Sequence, residues 1–171
     1  MVHLWGSKAK EEIEMRKSAL GEGAVGDIVV VVGAEKLDSA LVFLACQMAK
    51  GVKRKVHLVH VIEVPRTLPL KAELPRESER ADKILNSALT IAERVGCEAV
   101  AEVVQAREAG HAIVDEARDH RCSLILLGLV RNNDKTQDDL GKTVPYVLAN
   151  APCRVWLIQD PCPAMVQCAT A

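Results

Sequence analysis

The sequence predicts an α/β fold: an open, parallel, five-stranded sheet with helices on both faces. Three observations predict it. Short runs of β-branched and aliphatic residues alternate with amphipathic segments along the chain, the pattern of βαβ units joined by right-handed crossovers. Ile28 to Val32 is a continuous apolar run, which suits a strand buried on both faces. The chain has 171 residues, 49% of them hydrophobic, enough for one domain with a sizeable core.

Each element has its own signal. Residues 1–26 stand apart as an N-terminal arm or linker. Lys8 to Leu20 is charged and reads as a short helix with few apolar positions, and Gly21-Glu22-Gly23 as a linker. Trp5 allows a second reading of the arm as a tether at a bilayer surface. After the first strand, Leu37, Leu41, Leu44 and Met48 recur at helical spacing. Lys55 to Glu63 is the second strand, and Pro65, Pro69 and Pro75 break up the loop that follows. Ala81, Ile84, Leu85, Ala88, Ile91, Ala92 and Val95 form the stripe of a long helix that Gly96 stops. Ala99 to Val104 is the third strand. Ala109, Ala112, Ile113 and Ala117 mark the third helix, and Leu124 to Leu127 the fourth strand. Val144 to Leu148 lies on a fourth helix, and Val155 to Ile158 is the fifth strand. The folded domain is placed at 27–160, with a C-terminal tail at 161–171.

Composition excludes several functions. A formal net charge of -1 offers no basic excess for a phosphate backbone, so nucleic acid is not expected as a partner. No apolar run approaches the roughly 20 residues that cross a bilayer, and no secretory apolar core follows Met1. A cytoplasmic protein is expected. Aromatics are only 2%, so the core must be Val, Leu, Ile and Ala. None of the six cysteines has Cys-x-x-Cys or zinc-finger spacing. Cys46, Cys97, Cys122 and Cys153 read as small hydrophobes, while Cys162 and Cys168 fall in the tail.

The candidate site begins with two glycines. Gly128 ends the fourth strand, where backbone can approach a ligand with no Cβ in the way. Gly141 precedes a helix whose first N–H groups have no internal partner and can hold an anion. Thr143 is placed to be the N-cap of that helix, and Pro145 removes one donor. Arg131 and Lys142 add cations that attract phosphate or else stand solvated in a loop. A Walker A motif is excluded because position 136 is Thr, not Gly. Asn132 to Asp139 is a polar loop that suits closure over a ligand or a plain surface turn. His57 and His60 lie three apart on one strand, hence on opposite faces, and read as structural. His111 and His120 have no partner at ligand spacing. Asp115-Glu116 and Asp138-Asp139 read as solvated surface. No metal set and no catalytic set is expected.

The stretch Gly128-Leu-Val-Arg131, nine residues, Gly141-Lys142-Thr143, a short helix and Ala151-Pro152-Cys153-Arg154-Val155 resembles the C-terminal third of the universal stress protein family. That family typically has Gly-x-x-Gly, nine residues, Gly-Ser/Thr and Ala-Pro-Cys-Pro-Val. Arg131 replaces the second glycine and Lys142 the hydroxyl residue. Val32-Gly33-Ala34 stands where the family's ATP-binding members carry an Asp. The resemblance implies a Rossmann-like fold of the adenine-nucleotide alpha-hydrolase kind, with strand order 3-2-1-4-5. It implies an adenine nucleotide, ATP or AMP, held by Gly33, Ala34, Val61, Leu127, Gly128, Arg131, Gly141, Lys142 and Thr143. It also implies a homodimer paired along Val155, Trp156, Leu157 and Ile158.

His60-Val61-Ile62-Glu63-Val64-Pro65-Arg66-Thr67-Leu68-Pro69-Leu70 and Thr143-Val144-Pro145-Tyr146-Val147-Leu148 resemble one branch of that family more closely: the domains appended to prokaryotic amino acid permeases. That branch implies a membrane transporter as partner or parent chain. Three functions follow: a nucleotide-binding regulatory module, an interaction domain that works without nucleotide, and an enzyme. The last is not expected beyond slow, incidental ATP hydrolysis.

Overall fold

In the computed structural model, which describes residues 26–33, 36–129 and 141–159, nine elements follow one another. They are β1 (Ile28–Val31), α1 (Lys36–Val52), β2 (Val56–Glu63), α2 (Pro75–Val95) and β3 (Ala99–Ala106), then α3 (Ala109–Asp119), β4 (Leu124–Leu129), α4 (Thr143–Asn150) and β5 (Arg154–Gln159). All strand pairs are parallel, and the sheet order is β3-β2-β1-β4-β5. The expected order is therefore the observed one. The arm 1–25, Ala34, Arg131, the loop Asn132 to Asp139 and the tail lie outside the described residues.

Alternation along the central strand divides the core between the two faces of the sheet. Val30 faces one layer, with Leu41, Ala45, Ala49, Leu58, Leu85, Ala88 and Leu126, beneath α1 and α2. Val29 faces the other, with Val59, Ile113, Ala117, Ile125, Leu127 and Val147, beneath α3 and α4. Period-2 side-chain direction is what lets one continuous apolar run serve both layers.

The helices show where local reading and packing part. On α1 the buried face is Leu41, Val42, Ala45, Cys46 and Ala49, while Leu44 is 38% exposed. Leu44 lies off this stripe and is left outside. Pro75, read as a loop breaker, is instead the first residue of α2, where its missing N–H would have had no intrahelical partner. Gly96 ends α2 in the left-handed conformation at φ 71°, which a glycine adopts without a Cβ penalty. Lys50 Nζ then donates to the Val95 carbonyl at 2.8 Å. The N-cap of α3, Glu108, makes no side-chain cap bond, but the Ala109 N–H donates to Glu63 Oε1 at 2.8 Å. A carboxylate at the end of β2 thus satisfies the helix from outside it.

The loop after β2 is held by one guanidinium. Arg107 donates to the carbonyls of Val64 at 3.0 Å and Leu68 at 2.7 Å, and also to that of Pro65. Gln105 Nε2 adds a bond to the Ala72 carbonyl at 3.2 Å. No described helix is long and apolar enough to cross a membrane.

Candidate functional site

Strand order reverses between β1 and β4, so the crevice at their C-terminal ends is where an open α/β sheet admits a ligand. The end of β1 is tightly held. The Val32 N–H donates to the Val59 carbonyl at 2.9 Å. His60 Nδ1 donates to the Val32 carbonyl at 2.7 Å, which fixes the proton on that nitrogen because a carbonyl only accepts. The Gly33 N–H donates to Asp38 Oδ2 at 2.8 Å. Gly33 itself is exposed, and a Cβ there would meet nothing within 4 Å. The sequence offered no carboxylate directly after β1, but α1 supplies one from its first turn.

On the β4 side, Gly128 pairs with Ile158 and is half-buried. Gly141 is exposed, has φ +63° and faces open space. Thr143, expected as N-cap, is the first residue of α4, and Lys142 takes the cap position. Lysine has no acceptor, so the cap makes no side-chain bond and the first N–H groups of α4 receive none from it. Leu127 is buried in the α3–α4 layer, and Val61 is packed at its margin, so these two can present backbone rather than side chain. Arg131 and Ala34 lie outside the described residues. A cleft of about 270 Å³ adjoins the end of β1. It lies between α1 and α2, lined by Val32, Asp38, Ser39, Val42, Lys83 and Ser87 among others. It shares Val32 and Asp38 with the strand crevice and does not reach Gly128 or Gly141.

β5 is an edge strand, with Val155, Leu157 and Ile158 half-buried and Trp156 44% exposed. Cys46, Cys97, Cys122 and Cys153 are free thiols. Burial pushes Cys46 and Cys122 up to about 12.

The described residues also bring together a set that sequence spacing hid. His57, Glu102 and His120 each offer a ligand atom, all within 4.8 Å of one another. His57 comes from β2, Glu102 from β3 and His120 from the C-cap of α3. Glu116, read as solvated surface, joins them: its Oε2 lies 3.2 Å from His120 Nε2. Burial, and then the neighbouring Glu102, raise its pKa above the usual carboxylate range.

Residues 25–159 match the model of the universal stress protein family. A universal stress protein from Archaeoglobus fulgidus superposes with a TM-score of 0.64 at 22% identity, over 78% of this chain and 93% of that one. An Archaeoglobus fulgidus universal stress protein in complex with dAMP gives 0.64 at 20%, over 79% and 98%. A universal stress protein in complex with cAMP gives 0.63 at 18%, over 80% and 98%. No curated protein matches the chain.

Proposed function

The chain belongs to the universal stress protein family, and on that premise we propose that it is a regulatory binding module for an adenine nucleotide. ATP or AMP would sit across the ends of β1 and β4 and act through a homodimer paired along β5. The observation that carries this reading is the pair of exposed, unobstructed glycines, Gly33 and Gly141, flanking the point where strand order reverses. With no Cβ at either glycine, the backbone there can come close to a phosphate that a side chain would hold off. Two structural relatives were solved with dAMP and with cAMP, which supports an adenine nucleotide as the ligand class. Lys142 supplies positive charge at the N-terminus of α4. Calorimetric titration with ATP and AMP, with and without Mg²⁺, tests the proposal. Micromolar binding supports it, and silence at millimolar nucleotide overturns it.

Two observations favour a second reading. Asp38 already takes the Gly33 N–H and sets a negative charge at the crevice, while Trp156 stands exposed on an edge strand. An edge with an aromatic anchor is a pairing template whether or not nucleotide binds. On this reading the chain is an interaction domain, and the Val64 to Leu70 resemblance points to a cytoplasmic role with an amino acid permease as partner or parent chain. Either way the proposed role is regulatory, not catalytic.

A further inference from the structure

We propose that His57, Glu102 and His120, with Glu116 at the fourth position, bind a divalent transition-metal ion of the zinc class. The set lies at the opposite end of the sheet from the nucleotide crevice: Asp27 precedes β1, and His57 is the second residue of β2. The inference does not depend on nucleotide binding.

His57 carries the argument. It is 5% exposed, and its Nδ1 is buried with no hydrogen-bond partner. Its Nε2 lies 3.3 Å from Asp27 Oδ2, a carboxylate that can only accept, so the proton belongs on Nε2. The lone pair of Nδ1 is then aimed at the cluster, 4.0 Å from Glu102 Oε1. Two acceptors face each other there, too far apart for a hydrogen bond, and the buried Nδ1 is left with no partner. An ion that binds nitrogen and oxygen at about 2.0–2.2 Å fits between them. The Asp27–His57 pair has the form of a metal-ligating histidine whose other nitrogen donates to a carboxylate, which sets both tautomer and ring orientation.

The remaining donors are spaced for the same ion. His120 Nε2 is 3.3 Å from Glu102 Oε2 and 3.2 Å from Glu116 Oε2. The edge of a tetrahedron with such bonds is about 3.4 Å. Two half-buried carboxyl groups converge on one imidazole, and a divalent cation relieves that crowding of like charge. Two imidazoles with two carboxylates suit zinc and its neighbours better than calcium or magnesium, which take oxygen alone. In the structure the His57 and His120 rings stack with centroids 4.0 Å apart and 24° between planes. Closing on one ion tips the rings out of that stack so that their lone pairs converge.

The test is a titration of the full chain, stripped with chelator and free of nucleotide, with Co²⁺. It is followed by calorimetry and visible absorption, then by displacement with Zn²⁺. The expected result is one equivalent bound, with tetrahedral d–d bands and no near-ultraviolet thiolate charge-transfer band. His120→Gln and Glu102→Gln should each weaken binding at least tenfold. Asp27→Asn, a positioning residue, should weaken it by roughly 10–100-fold. His111→Gln, outside the cluster, should bind as the parent does. Circular dichroism checks each fold, and the isosteric Glu102→Gln carries the test should His120→Gln fail to fold. No saturable binding at millimolar Co²⁺ or Zn²⁺, a thiolate band, or variants that bind like the parent would overturn the assignment.

Discussion

Gly33 and Asp38 are joined at the end of β1, the backbone N–H of one donating to Oδ2 of the other at 2.8 Å. The bond ties the crevice to the first turn of α1, where an acid is also favoured by the helix dipole. Asp38→Ala removes both effects. It should lower stability by about 1–2 kcal/mol, measured by urea denaturation, while freeing the Gly33 N–H and removing a negative charge from the crevice. Asp38→Asn keeps an acceptor oxygen and should recover most of the stability. Equal stability of all three proteins would show that the bond contributes nothing.

Two glycines of the crevice separate space from conformation. Both would place a Cβ in open space, but only Gly141 has a positive φ, of 63°. Gly141→Val should therefore be strained by roughly 1–3 kcal/mol. Gly33→Ala should stay within about 0.5 kcal/mol of the parent. Both should weaken nucleotide binding if the proposed site is correct, because each puts a side chain where that site would bring backbone to phosphate. Calorimetry beside thermal melts distinguishes the cases; undiminished binding in both would move the nucleotide away from these loops.

Trp156 is the exposed aromatic of edge strand β5. If the homodimer forms there, Trp156→Glu places two carboxylates near the dimer axis and should convert it to monomer. Sedimentation velocity at tens of micromolar gives the answer. A parent chain that is already monomeric at that concentration rules out pairing through β5.

Cys46 is fully buried, and burial together with the nearby Cys97 pushes its thiol up to about 12. The folded pKa stands above the ordinary value of 9.0, so the neutral thiol's contribution is full below pH 9 and declines as pH rises toward 12. At pH 7.5 Cys46 should resist iodoacetamide in the native protein and react after unfolding. Peptide mass spectrometry reads the difference, and native labelling as fast as that of a free thiol would contradict the packing described.

The fold was legible because apolar runs and helical stripes are local signals. Val29 and Val30 report a two-sided strand without any knowledge of what covers it. Helical spacing marked α1 through Leu41, Leu44 and Met48, but did not show that the buried face runs through Val42, Ala45, Cys46 and Ala49 instead of Leu44. Pro75 was misplaced since one residue type both breaks a loop and opens a helix. At the proposed crevice, Gly33, Gly128 and Gly141 were singled out from motif and strand ends, whereas Asp38 was not, because it reaches back from the next helix. The His57–Glu102–His120 set was invisible for a stronger reason. Its members come from three elements, and only the β2–β3 register, with the end of α3 brought over it, makes them neighbours.

Arg107 gives the β2–α2 loop a property that its own residues lack. Three carbonyls of that loop converge on one guanidinium from the far end of β3, and Leu68 and Leu70 stand exposed on the surface so formed. The outline a binding partner would meet at those leucines is written elsewhere in the gene. A change at codon 107 would redraw it while leaving every residue of the loop untouched.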